Sequence, residues 1–368
     1  MVNDRPALEA TCERLARASR VSIDTEFHTE HRYFPRLMLV QVQPDEGPAE
    51  LIDPVALDLS PLGEALSGRP LLVHGGASDL QLLQRHAGLR PGPVFDTQIA
   101  AAFVGGGWPT RLQDLASRWI GRHLPKTETL TDWGRRPLSD AQREYALDDV
   151  RVLPALADAL AAAVRQHRRE AMLADCTAEL CAAALAPPND DELWRTFPAS
   201  ARLAERERAV FARLVAWRER EARSSDVPRG SVLPDGILLD VARRLPTTVE
   251  ALRGNRRLPK QIPNRLGPTL VRIVAEGEHG SAPAPRPWTR EWEELVRVAA
   301  RVVEARTGVA ADLVVTEAVL DDLHAGRRPK GWRDSGMFGD LAAFVEGRIA
   351  LRLDGRKTVF GDVMSTKA

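Results

Sequence analysis

Asp24 and Glu26 stand two positions apart in VSIDTEF, the stretch that begins at Val21. Val21-Ser22-Ile23 favours a strand, because β-branched side chains fit a pleated surface. In a strand, positions i and i+2 project to the same face, so the two carboxylates repel each other. A divalent cation such as Mg²⁺, which takes oxygen ligands, removes that conflict; a solvated pair on an edge strand removes it too. Asp79 lies just past a strand, a Gly-Gly break and a helix start in LLVHGGASDL. The ends of buried strands are where α/β folds place functional groups. The helix dipole alone also favours a first-turn carboxylate, by about 0.3–1 kcal/mol. Tyr145 and Asp149 stand four apart in SDAQREYALDDVRVL. That spacing puts phenol and carboxylate on one helix face, while Asp148 points elsewhere. An exposed acid beside a half-buried Tyr would have the same spacing, although the chain has just two tyrosines.

The elements that must position these groups follow from pattern. Residues 7–19 have helical spacing. Val21–Ile23, Leu37–Val42 and Glu50–Asp53 read as a meander of three strands, with Pro44-Asp45-Glu46-Gly47 a turn between the last two. A helix is expected over Leu59–Leu66, a buried strand over Leu71–His74 and a helix over Ser78–His86. Asp96 is a candidate N-cap for a helix through Phe103. Helices over Leu112–Trp119 and Ser139–Leu153 follow, the second opened by Ser139 and Gln142 as a capping box. Strands alternating with helices predict an α/β sandwich over residues 1–188.

Pro187-Pro188-Asn189-Asp190-Asp191 is the clearest break. Beyond it the chain predicts helices at 203–224, 236–244, 247–253 and 262–276, a Pro/Ala linker at 280–287, and helices at 289–306, 310–324 and 336–349. The last residues, 355–368, look loosely held. Two small all-α domains, 200–280 and 288–356, are therefore expected after the α/β domain.

The totals exclude several classes. The chain of 368 residues is 44% hydrophobic and 28% charged, ordinary for a globular protein. No apolar run reaches the roughly 20 residues that span a bilayer. The N-terminus lacks a signal-peptide core, so a cytoplasmic, membrane-free protein is expected. Three cysteines in no metal-like spacing argue against a disulfide framework. The formal charge is zero but unevenly spread. Residues 1–200 carry 21 basic and 28 acidic side chains, residues 201–368 carry 30 and 23. An acidic half joined to a basic half suits metal-binding carboxylates in one part and phosphate contacts in the other.

D-x-E on a strand, an Asp at a helix start and Y-x-x-x-D on a helix, in that order, resemble the DEDD superfamily of 3′→5′ exonucleases, in its tyrosine subclass. Within it the chain resembles the ribonuclease D family. The matching stretches are DTEF with RYFPRLMLVQV, HGGASDLQLL, FDTQIAAAFVG and TDWGRRPLSDAQREYALDDVRVL, over roughly residues 20–155. The resemblance implies a ribonuclease H-like exonuclease domain, with Asp24, Glu26, Asp79 and Asp149 as ligands of two divalent cations, Mg²⁺ or Mn²⁺, and no organic cofactor. Two such ions can stabilise both the attacking and the leaving oxygen of an in-line displacement. It implies for Tyr145 a role in positioning the attacking water. It also implies single-stranded 3′ ends of RNA, tRNA precursors among them, as substrate, handled by a monomer. The family often carries an Arg three residues after the Glu of the first motif, where this chain has Thr29.

Residues 205–278 resemble the HRDC domain shared by helicases and ribonuclease D, through LVAWREREARSSDVPRG and LGPTLVRIVAEG. Residues 289–354 resemble a second, divergent copy. Trp217-Arg218 reads as an aromatic-basic pair on the first helix. Arg253, Arg256, Arg257, Lys260, Arg265 and Arg272 form a run without an intervening acid, a candidate phosphate-tracking patch. Phe27 is a candidate base-stacking wedge or a core residue. Lys126, Arg135 and Arg136 could meet phosphates, and His74 reads as a structural contact. The same ligand set would serve a DNA-directed exonuclease, since it does not read the 2′-OH. A binding module with an inactive nuclease site is the other alternative.

Overall fold

The computed structural model describes residues 1–125, 131–256, 258–278, 284–335 and 338–362. Lys126 and Arg257 lie outside the described residues. By contacts the chain forms two units. The first comprises Met1–His28, Leu37–Ala186 and the chain from Trp288 onward; the second comprises Thr29–Arg36 and Pro187–Pro287.

The first unit opens with α1 (Arg5–Arg17), whose N-cap Asp4 accepts from the Ala7 amide at 2.9 Å. It continues through β1 (Val21–His28), β2 (Arg36–Pro44), β3 (Glu50–Ile52), α2 (Ser60–Leu66), β4 (Leu71–Val73), α3 (Ala77–Ala87), β5 (Val94–Asp96), α4 (Thr97–Ala102), α5 (Leu112–Ile120), α6 (Asp140–Arg151), α7 (Leu153–Gln166) and α8 (Glu170–Leu185). The sheet order is β3-β2-β1-β4-β5. β1 runs parallel to β4, and β4 parallel to β5, while β2 and β3 are antiparallel. β1 is thus the central strand, and it extends past the expected Ile23 through Asp24 and Glu26 to His28. Val40 and Val42 of β2 join Leu8, Leu62 and Leu83 in one buried cluster. Leu39 joins Trp133, Leu138 and Tyr145 in another, so the sheet is covered on both faces.

The second unit contains α9 (Glu205–Ser225), α10 (Arg229–Val232), α11 (Asp235–Arg244), α12 (Val249–Arg253) and α13 (Gln261–Glu278). Its core gathers Phe211, Leu214, Leu238, Leu252 and Leu270. α9 and α13 approach closely at Gly277, where an added Cβ would lie 2.6 Å from the Val210 side chain and 2.9 Å from its Cα. The loop from Thr29 to Arg36, although it joins β1 to β2, belongs to this unit. There the Tyr33 hydroxyl donates to Glu219 at 2.5 Å, and Arg32 pairs with Asp226 at 2.9 Å.

The helices expected to form a third domain over 288–356 group by contacts with the first unit. α14 (Arg290–Thr307), α15 (Ala311–Val314), α16 (Glu317–His324) and α17 (Gly339–Val345) belong to the first unit. Val296, Ala300, Leu320 and Trp332 share one buried cluster with Phe103 of the loop after α4 and Leu156 of α7. Arg169 fixes the arrangement, donating to the Thr307 carbonyl at 2.7 Å and to that of Phe103. The end of this segment is not helical either. β6 (Ile349–Asp354) and β7 (Lys357–Asp362) form an antiparallel hairpin. Gly355, at φ 60°, takes the first position of its two-residue turn, a conformation that favours glycine. Residues 357–362, expected to be loose, are one strand of that pair. Among the described residues no helix is long and apolar enough to cross a membrane.

Candidate active site

β1 presents Asp24 and Glu26 from the centre of the sheet, and α6 presents Asp149. Carboxylate oxygens from the three lie within 4.8 Å of one another. They line a cleft of about 630 Å³ together with Tyr145, His74, Gln98, Arg111 and Gln113. The spacing in α6 sets Tyr145 one turn before Asp149 on the same face. Asp148 turns away as expected, 3.5 Å from Arg151 and 3.7 Å from Arg122.

The start of α6 is fixed by its capping box. The Gln142 amide donates to Ser139 Oγ at 3.1 Å, and the Ser139 amide donates to Gln142 Oε1 at 2.9 Å. Gln142 Nε2 also donates to Thr131 Oγ1 at 3.0 Å, tying the helix to the segment before Trp133. The Trp133 ring packs 6.2 Å from that of Tyr145, which is buried. Arg136 clamps this segment to the sheet. It makes two bonds to Asp53 at 2.6 and 2.8 Å, and donates to the Met38 carbonyl at 2.7 Å and the Trp133 carbonyl at 2.8 Å. Its donors are consumed inside the fold, so the phosphate contact considered for it is replaced by a structural one.

Asp79 occupies the first turn of α3 and is buried. Thr25 Oγ1 donates a short hydrogen bond to Asp79 Oδ1. Asp79 is therefore next to β1 but is not one of the three carboxylates within 4.8 Å. The Gly75-Gly76 turn that sets α3 is held by Asp96. Its carboxylate accepts from the Gly75 and Gly76 amides at 2.9 and 3.0 Å, and from the Gln98 amide at 2.8 Å. One side chain thus caps α4 and shapes the turn before Asp79. His74 is bonded inside the fold, with Nε2 donating to the Thr110 carbonyl at 2.9 Å and Nδ1 at 2.9 Å from the Thr97 hydroxyl. Burial lowers its pKa, which keeps the ring neutral.

Electrostatics distinguish the cluster. Burial first, then the charges of Asp79, Asp149 and Glu26, push Asp24 well above the usual carboxylate range. Burial followed by Asp149 and Asp79 raises Glu26 to about 8. Burial and Asp148 raise Asp149 to about 7. Asp79 is raised to about 6 by burial, which the Thr25 hydroxyl opposes. Among the described residues none of the four makes an ion pair with a protein cation. A set of hard oxygen donors that resist joint ionisation fits divalent cations of the Mg²⁺ type.

The other candidates scatter. Phe27 is half-buried against the apolar cluster beneath the sheet, a core contact. Arg256 and Lys260 are exposed in the second unit. Arg253 and Arg265 of the same run are engaged locally, with Asn264 at 3.2 Å and the Val232 carbonyl at 3.0 Å. Thr29 is exposed. Trp217 and Arg218 do not form one face. Arg218 is buried and donates to the Leu233 carbonyl at 2.9 Å, as adjacent helical positions must diverge. Sequence reasoning missed Gln98, Arg111 and Gln113 on the cleft wall. They sit in FDTQIA and PTRLQDL, where no spacing sets them apart.

A family model described as a 3′-5′ exonuclease matches residues 1–165. A second, described as an HRDC domain, matches residues 207–274. The chain is 33% identical to a ribonuclease D of Jannaschia sp., over 97% of both chains. It is also 33% identical to a ribonuclease D of Sphingobium indicum, over 95% of both. The fold is similar to that of Escherichia coli RNase D, described as an exoribonuclease involved in structured RNA processing. That match has a TM-score of 0.79 at 26% identity and covers 94% of this chain and 97% of that one. An acidic cleft on the central strand, followed by an HRDC domain and matched by relatives over nearly its whole length, places this chain in the ribonuclease D family of 3′→5′ exoribonucleases.

Proposed function

We propose that Asp24, Glu26 and Asp149, with Asp79 as the fourth carboxylate, hold two divalent cations, Mg²⁺ or Mn²⁺, for removal of nucleotides from the 3′ ends of structured RNA such as tRNA precursors. The observation that carries this reading is the three carboxylates within 4.8 Å of one another, none ion-paired among the described residues, in an open cleft beside Tyr145. Bound there, two such ions would lower the pKa of the attacking water and stabilise charge on the attacking and leaving oxygens. The chain's own groups prepare the site. β1 and α6 hold carboxylates that are costly to charge alone, so the cleft is reserved for external cations. Tyr145, wedged beside Trp133, aims its hydroxyl from the same face as Asp149 and orients the water. Arg111 lines the same cleft and supplies a guanidinium for the incoming phosphates.

The test is cleavage of 5′-labelled single-stranded RNA and DNA of one sequence, in Mg²⁺, Mn²⁺ or EDTA. The expected result is a ladder shortening from the 3′ end of the RNA, absent in EDTA and with Asp149→Asn. Intact RNA in both cations would refute the reading, and preference for DNA would move the substrate assignment.

A further inference from the structure

α9 and α13 of the second unit border a cleft of about 340 Å³ that the catalytic chemistry does not use. On α9, Arg213, Trp217 and Arg220 stand at i, i+4 and i+7, one face of a helix. The small Ala209, Ala212 and Ala216, which also line it, leave the space open. From α13, Arg272 and Glu276 face the same cleft, and Asp191 lies at its rim.

Two features separate this cleft from ordinary surface charge. Arg213 and Arg220 are exposed and, among the described residues, make no ion pair or side-chain hydrogen bond. Arg272 is tied at 2.7 Å to Glu276, but both are largely exposed, so water screens the pair and a phosphate can replace the carboxylate. Trp217 is half-buried. It packs against the apolar core of the unit and also lines the cleft. A ring held by the core and flanked by guanidinium groups is a stacking platform with phosphate partners. Base–aromatic stacking tolerates any sequence, because every base has a π-face. The cleft volume is that of a small-molecule pocket.

We infer that the α9–α13 cleft binds single-stranded RNA, with one base stacked on Trp217 and the neighbouring phosphates on Arg213, Arg220 and Arg272. The inference deepens the RNA-processing reading and rests on it. It moves the principal RNA contact of this unit away from Arg256 and Lys260, where the run of charges in the sequence had pointed. An acidic protein segment would satisfy the arginines but would leave the indole platform without a partner.

The experiment uses the full chain in EDTA, where the RNA stays intact, and reads fluorescence anisotropy of a 5′-labelled single-stranded RNA across a salt series. W217A is expected to weaken binding roughly 5- to 100-fold at unchanged salt slope. W217F, which keeps a ring, is expected to restore most of the loss. R213A/R220A is expected to lower the slope of log Kd against log salt by about 1.4, two phosphate contacts on a single strand. A merely structural role would not move that slope, and these two exposed arginines can be removed without touching the core. Cleavage of a short oligonucleotide in Mg²⁺ is expected to keep its kcat in all three variants. Binding and slope of R213A/R220A equal to those of the parent would overturn the inference. So would polyglutamate displacing the RNA as well as unlabelled RNA does, which would assign the cleft to an acidic protein. If the parent binds RNA but never cleaves it, the catalytic reading fails and the cleft assignment stands or falls on the binding arms alone.

Discussion

The molecule buries carboxylates in two contrasting ways. In the catalytic cleft, Asp24, Glu26 and Asp149 face one another, none of them ion-paired to an arginine or lysine among the described residues, and burial raises all three. In the helical unit, Glu219 is buried too, yet it takes bonds from Arg229 at 2.5 and 2.7 Å and from Tyr33 at 2.5 Å. Although burial raises the Glu219 carboxyl, those partners outweigh it and hold its pKa below the usual glutamate value. The difference separates structure from chemistry. A protein that needs a buried acid only to hold a loop supplies the counter-charge itself. One that leaves three together without counter-charge has kept the place for ions from solution.

Substitutions can break or sharpen that contrast. Asp149→Asn removes one carboxylate from the cleft, and the loss of several kcal/mol of transition-state stabilisation lowers kcat/KM by about 10³-fold or more. Single-turnover cleavage of labelled RNA measures it, and melting should be unchanged or slightly raised because repulsion is relieved. Tyr145→Phe keeps the ring packed beside Trp133 and removes only the hydroxyl, so a fall in kcat of about 10²-fold with little change in KM is expected. On the other side of the contrast, Arg229→Ala leaves Glu219 with a single donor. A loss of stability of about 1–3 kcal/mol in denaturant unfolding is expected.

The smallest expected effect is in pH dependence, where the two environments have opposite signs. Carboxyls whose pKa is raised on folding hold more protons folded than unfolded. Their contribution is therefore intact below an unfolded carboxyl's pKa of about 4 and is lost as pH rises toward the folded values of about 6 to 8. Without cations, melting should fall between pH 5 and 8. Mg²⁺ binds only the ionised carboxylates, so its stabilising effect should grow over the same interval. Glu219, lowered on folding, contributes stability that is lost only in acid, as pH falls through its folded pKa. Glu219→Gln should therefore flatten only the acid limb of the stability curve.

Much of this was legible in residue order. The D-x-E pair, the Ser139–Gln142 box and the Asp96 cap are local signals, and local bonds decide them. What lay hidden depended on distant partners. An amphipathic helix such as α14 declares that one face is buried, not that Ala300 will meet Phe103. Arg136 reads as a surface cation until Asp53 and the Met38 carbonyl arrive from the sheet. Arg218 read as Trp217's companion because the two are neighbours in sequence, whereas helical geometry pairs Trp217 with Arg213 and Arg220. The Gly355-Arg356 turn of the last hairpin is a local signal too, but strands as exposed as β6 and β7 carry no clear hydrophobic alternation to announce them.

The account rests on the cleft being a cation site, and Mn²⁺ binding tests that most directly. Calorimetric titration of the full chain near pH 8 should show two ions bound with proton release, and Asp149→Asn should weaken binding at least about 10-fold. Millimolar Mn²⁺ that fails to bind the parent, or binds the variant equally well, would contradict it.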